Sequence, residues 1–101
     1  MTEQVTIKVT LPAHLAMLGQ CDRHVEISAV PTQRGVIDAL ESAYPGLRGT
    51  LREPGGDRRR PYVRFFANEE DLSHEEPDAS LPDEVVSGRE PYLIVGAMAG
   101  G

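Results

Sequence analysis

The sequence predicts a two-layer α+β domain, one helix lying on one face of a sheet, and three observations lead there. Near the start, two segments alternate apolar with polar residues. A single run with helical spacing follows, and after it come two further segments rich in aromatic and β-branched residues. A chain of 101 residues has room for one modest hydrophobic core, so these elements belong to a single domain.

Val5, Ile7, Val9 and Leu11 alternate with Thr6, Lys8 and Thr10, the period of two of a strand with one buried face. Pro12 ends this strand, and the stretch after it, containing Gly19 and Cys21, reads as irregular. Val25, Ile27 and Ala29 alternate with His24, Glu26 and Ser28, giving a second strand that pairs with the first as a hairpin. Thr32 is suited to cap a helix, and Val36, Ile37, Leu40, Ala43 and Tyr44 recur at helical spacing until Pro45 and Gly46 stop the run.

From Gly49 to Pro61 the chain carries Pro54, Gly55, Gly56 and the triplet Arg58, Arg59, Arg60, which reads as a solvated loop. Tyr62 to Ala67 predicts a third strand, closed by the polar turn Asn68, Glu69, Glu70, Asp71. An acidic, proline-punctuated loop then runs to about Glu90. Tyr92, Leu93, Ile94 and Val95 form a short continuous apolar run, as an interior strand with both faces at least partly covered requires.

Ten Lys and Arg against sixteen Asp and Glu give a formal charge of -6, which repels phosphate backbones and anionic lipid. Nucleic acid and membrane are therefore not expected as partners. The first eleven residues lack the basic start and continuous apolar run of a signal peptide, so a cytoplasmic location is expected. A lone cysteine, Cys21, forms no internal disulfide and builds no zinc site by itself. Its neighbour Asp22 disfavours the thiolate, and the residue reads as structural or incidental. His14, His24 and His74 show no ligand spacing, and no metal is expected. The acidic stretch from Glu69 to Glu84 and the arginine triplet both read first as solvated surface.

The opening strand ending in Leu11-Pro12, the helix running into Tyr44-Pro45-Gly46-Leu47, the Tyr62 to Asn68 strand with its Asn-Glu-Glu-Asp turn and the closing Ala97-Met98-Ala99-Gly100-Gly101 together resemble the MoaD/ThiS family of ubiquitin-like sulfur carriers. The terminal Gly-Gly is the most specific of these pieces. The longer loop before Arg60 is similar to that of members serving cysteine biosynthesis as well as molybdopterin. Where the family usually has Gly-Asp-Glu-Val before the last strand, this chain has Ser87-Gly88-Arg89-Glu90-Pro91, and Gly96 replaces a proline.

The resemblance implies the β-grasp fold, a mixed sheet of about four to five strands with one main helix on one face. It divides the chain into a domain at 1-95 and a flexible tail at 96-101. It further implies that an E1-like adenylyltransferase joins the Gly101 carboxylate to AMP, and that a sulfur donor displaces AMP to leave a thiocarboxylate. A sulfur-accepting biosynthetic enzyme then takes the sulfur for cysteine, molybdopterin or another small molecule. The chain is thus expected to be a protein cosubstrate and not an enzyme, with no bound cofactor, ATP being used by the activating partner.

On this reading Gly101 is the reacting residue and Gly100 its necessary neighbour, because glycine lacks the Cβ that would collide with the walls of a narrow channel. Ala97, Met98 and Ala99 are expected to contact the partner. So are Phe66 and Phe65: successive strand residues face opposite ways, so one of the two points to the sheet face away from the helix. The same alternation sets Leu93 and Val95 against Tyr92 and Ile94, and an apolar patch there would suit a docking enzyme. Two other readings share the fold: a modifier joined through Gly101 to lysines of other proteins, and a noncatalytic interaction module.

Overall fold

The computed structural model describes residues 3–53, 56 and 58–96. Strand β1 (Val5–Thr10) turns Ile7 and Val9 into the core, and antiparallel β2 (His24–Ala29) does the same with Ile27 and Ala29. Their hairpin is closed by the Leu11 N–H, which donates to the Arg23 carbonyl at 2.7 Å, and by the Arg23 Nε, which donates back to the Leu11 carbonyl at 3.0 Å.

Between these strands the chain is helical, where an irregular stretch was expected. Helix α1 (Ala13–Gly19) follows Pro12, whose carbonyl accepts from the Leu15 and Ala16 N–H groups, and stops at Gln20 in the left-handed region at φ 56°. The residues between Ala13 and Leu18 are helix formers after a proline of fixed φ, and burial of Leu15 and Ala16 holds the short helix down.

Helix α2 (Gln33–Ala43) begins as the sequence predicts: the Thr32 hydroxyl accepts from the Gly35 N–H at 3.0 Å. It buries Val36, Ile37 and Leu40. A 3-10 turn, Pro45–Leu47, ends it and buries Leu47. The loop that follows is not merely solvated. Arg52 pairs with Asp38 at 2.6 Å and Glu41 at 2.8 Å on α2, Arg59 donates to the Val63 carbonyl at 2.6 Å, and Arg60 donates to the Gly49 carbonyl at 2.9 Å. Of the expected surface triplet, Arg59 and Arg60 are half-buried and pin the loop to the body, while Arg58 is exposed.

Strand β3 (Val63–Ala67) buries Val63, Phe65 and Ala67. A two-residue turn, Asn68 and Glu69, leads into the short β4 (Glu70–Asp71). Beyond it the Ser73 hydroxyl accepts from the Phe65 N–H at 2.9 Å, a side chain replacing a strand partner. The loop expected to run to about Glu90 contains one helical turn, α3 (Asp83–Val86), with Val85 buried.

The last strand, β5 (Tyr92–Gly96), is interior, as the apolar run predicts. The sheet order is β2-β1-β5-β3-β4, with β1 and β5 parallel and the other pairs antiparallel. This is the mixed β-grasp sheet of five strands, with α2 as the main helix on its core face. The rings of Phe65 and Tyr92 stack at 5.8 Å on that face. Among the described residues no helix is long and apolar enough to cross a membrane.

Candidate functional site

The face of the sheet away from α2 has two halves, and the alternation within each strand decides both. On β1 and β2 it presents Lys8, Thr10, His24, Glu26 and Ser28, with the Thr10 hydroxyl 3.1 Å from His24 Nδ1. On β5 and β3 it presents Leu93, Val95 and Phe66 beside Arg64. Phe66 pairs with Leu93 and Arg64 with Val95, so the apolar residues are contiguous across the two strands. Phe66 and Leu93 are half-buried, and Val95 is 48% exposed.

Of the two phenylalanines expected at the partner surface, Phe65 is not there. It is 1% exposed in the core against Tyr92, and Phe66 alone occupies the open face. Register makes the choice: Phe65 lies opposite Ile94 and Phe66 opposite Leu93, so each ring shares the fate of its partner. One charged pair borders the patch, the Arg64 Nη1 donating to Asp71 Oδ2 at 3.0 Å. Hydrogen bonding from Ser73, first its hydroxyl and then its N–H, holds the Asp71 carboxyl below its ordinary range, with Arg64 adding to the effect.

The patch runs to Gly96, the last residue of β5. Gly96 pairs with Val63, and its backbone is covered from one side by α1: a Cβ built there would stand 3.1 Å from His14 Cε1 and 3.8 Å from Pro12 Cγ. The imidazole of His14 thus lies against the strand at Gly96. Ala97, Met98, Ala99, Gly100 and Gly101, which carry the chemistry expected from the sequence, lie outside the described residues. The neighbourhood of His14 was not legible beforehand, because α1 itself was not.

Among the described residues no three His, Cys, Asp or Glu side chains are placed to hold a metal. Cys21 is half-buried, and burial followed by the charge of Asp22 pushes its thiol up, away from the reactive thiolate.

A mixed sheet wrapped on one main helix, with the last strand interior and parallel to the first, defines a ubiquitin-like β-grasp protein. Solved structures of such proteins superpose on it along almost the whole chain. CysO of Mycobacterium tuberculosis is 26% identical, with 93% of this chain and 99% of that one covered and a TM-score of 0.70. The Amycolatopsis orientalis BexX/CysO complex contains a match at 24% identity, 96% and 99% coverage and a TM-score of 0.72. Small archaeal modifier protein 1 of Methanosarcina acetivorans is 20% identical, with 97% and 98% coverage and a TM-score of 0.73. These neighbours are of the MoaD/ThiS ubiquitin-like type that the sequence resembles. No family model and no curated protein sequence matches the chain.

Proposed function

We propose that this chain is a ubiquitin-like sulfur carrier whose Gly101 carboxylate is adenylated by an E1-like enzyme and then converted to a thiocarboxylate. The observation that carries the reading is the placement of β5. β1 holds it at Tyr92 and Leu93 and β3 holds it from Leu93 to Gly96, and Gly100-Gly101 follow within five residues. The body thus gives the reacting residue a fixed origin on the sheet, and apart from Met98 the residues between are small. The carrier supplies no general base; binding and activation belong to the partner. The strip of exposed Val95 with half-buried Leu93 and Phe66 supports docking of that partner, since apolar surface left uncovered on a small domain marks interaction sites. A sulfur-accepting enzyme would use the same strip, with cysteine, molybdopterin or another sulfur-containing metabolite as the destination, and ATP enters only through the activating enzyme.

Intact-protein mass spectrometry tests this after incubation with ATP, an E1-like enzyme from the same host and a sulfide source. A gain of about 16 mass units located on Gly101, oxygen replaced by sulfur, is the expected result. No gain, with the enzyme shown active on another carrier, overturns it. The second reading, a modifier conjugated through Gly101 to lysines, is favoured by the likeness to a small archaeal modifier protein. High-mass conjugates in host lysate that vanish when Gly101 is deleted would establish it.

A further inference from the structure

Among the described residues four large hydrophobic side chains are exposed: Met17 at 79%, Leu18 at 54%, Val95 at 48% and Tyr62 at 42%. Register and helical turn tie each of them to Gly96, the last residue of β5. Val95 precedes Gly96, and Tyr62 precedes Val63, the residue paired with Gly96. Met17 and Leu18 come one helical turn after His14, whose ring lies against Gly96, and so share its side of α1. Two consecutive apolar residues left in water on a seven-residue helix give the domain no core contact to justify them.

We propose that Met17, Leu18, Tyr62 and Val95 form an apolar collar that seats on the mouth of the adenylating enzyme's channel. The inference rests on the reading of Gly101 as the reacting residue. From Gly96 to Gly101 is five residues, which reach at most about 17 Å at roughly 3.3 Å each. A nucleotide site must then lie within that distance of Gly96, and the enzyme surface around its entrance is brought against whatever surrounds Gly96. A long tail would let the body hang free; this one does not. The surface so pressed carries exposed apolar side chains on the α1 side and on the open sheet face, where Arg64 stands beside Val95. The fitting occupant is a channel rim of apolar side chains, and burying the collar offsets the cost of about 1–2 kcal/mol per tail residue ordered.

The test is the KM for the carrier in ATP–pyrophosphate exchange catalysed by the host's adenylating enzyme. Met17→Glu/Leu18→Glu should raise KM about tenfold or more, the factor carried by hot-spot side chains, with kcat little changed and the thermal midpoint retained. Should the charged variant fail to fold, Met17→Ala/Leu18→Ala gives the same readout. Inserting two glycines between Gly96 and Ala97 should raise KM by itself, and in that background the α1 substitutions should have little further effect, since both remove one contact. An unchanged KM for the α1 variants, or full additivity with the insertion, overturns the collar while leaving Gly101 as the reacting residue. No exchange with the wild-type chain, the enzyme being active on another carrier, overturns both.

Discussion

The hydroxyl of Tyr92 donates a 2.7 Å hydrogen bond to Oε1 of Gln33, joining the central strand to the first turn of α2 through the core. Both residues are buried, and burial pushes the Tyr92 phenol far above its ordinary range, so it stays a neutral donor throughout the stable pH range. Tyr92→Phe leaves the Gln33 carbonyl oxygen buried without its partner, which costs about 1–3 kcal/mol. Urea unfolding should show that loss, and Gln33→Met added to Tyr92→Phe should return part of it, because an apolar pair in the same space leaves nothing unsatisfied.

Gly35 is set by approach and not by dihedral. A Cβ built on it would lie 2.2 Å from the Val30 carbonyl oxygen, a backbone atom that cannot swing aside. Helix propensity favours Ala over Gly by about 1 kcal/mol. The collision is expected to win, for a net loss of roughly 1–3 kcal/mol in Gly35→Ala. Gly56, with nothing within 4 Å of its built Cβ, is the matched control and should barely change in a thermal melt.

The β3–β4 turn places Asn68 at φ 50° and Glu69 at φ 67°, both in the left-handed region. A two-residue hairpin of this kind favours Asn-Gly. Glu69→Gly should therefore stabilise the domain by about 0.5–1 kcal/mol, a rise of roughly 2–8 °C in Tm. No rise in calorimetry would mean that the Glu69 side chain contributes something its exposed position does not suggest.

Acid should loosen β4 and the loop that Asp78 ties to α2. The Asp71 carboxyl is held below its ordinary value by Ser73 and Arg64, and that of Asp78 by its pair with Arg34 at 2.8 Å. A depressed carboxyl contributes stability that is present above its unfolded value of about 3.9 and is lost as pH falls through the folded one. Melts from about pH 6 downward should thus show Tm falling below pH 4, and Asp71→Asn should flatten that slope while lowering Tm at neutral pH.

On the open face, Phe66→Ala should weaken binding of the activating enzyme with little loss of stability, read by calorimetry beside a urea titration. Phe66 is only half-buried and lies opposite Leu93, so its ring covers a neighbour on that face and not the core. Unchanged affinity would remove the strip from the interface.

Where a periodic pattern buried one face, or an unbroken apolar run marked an interior strand, the sequence was enough. The alternation of Val5, Ile7 and Val9, the helical spacing of Val36, Ile37 and Leu40 capped by Thr32, and the apolar run from Tyr92 to Val95 each became the expected element. Helix α1 was not legible because Leu15 and Ala16 alone face inward, too few to make a period. Helix α3 is a single turn. The arginines of the loop were misjudged for a different reason: Arg59 and Arg60 are held by backbone carbonyls of Val63 and Gly49, partners that no side-chain pattern announces. Which phenylalanine faces the partner depended on register, a relation between two strands and not a property of either. Gly100 and Gly101 stood out by resemblance alone.

The position of β5 also bears on how the protein is made. Val9 waits for Tyr92 and Val63 waits for Gly96, so neither inner edge can be satisfied until the strand that bears the tail has left the ribosome. Until then the nascent chain offers hairpins without a sheet, and pairings so distant in sequence form slowly. A chain broken off before Gly96 would have neither a closed fold nor a tail, so a half-made product would not present a folded body to the activating enzyme.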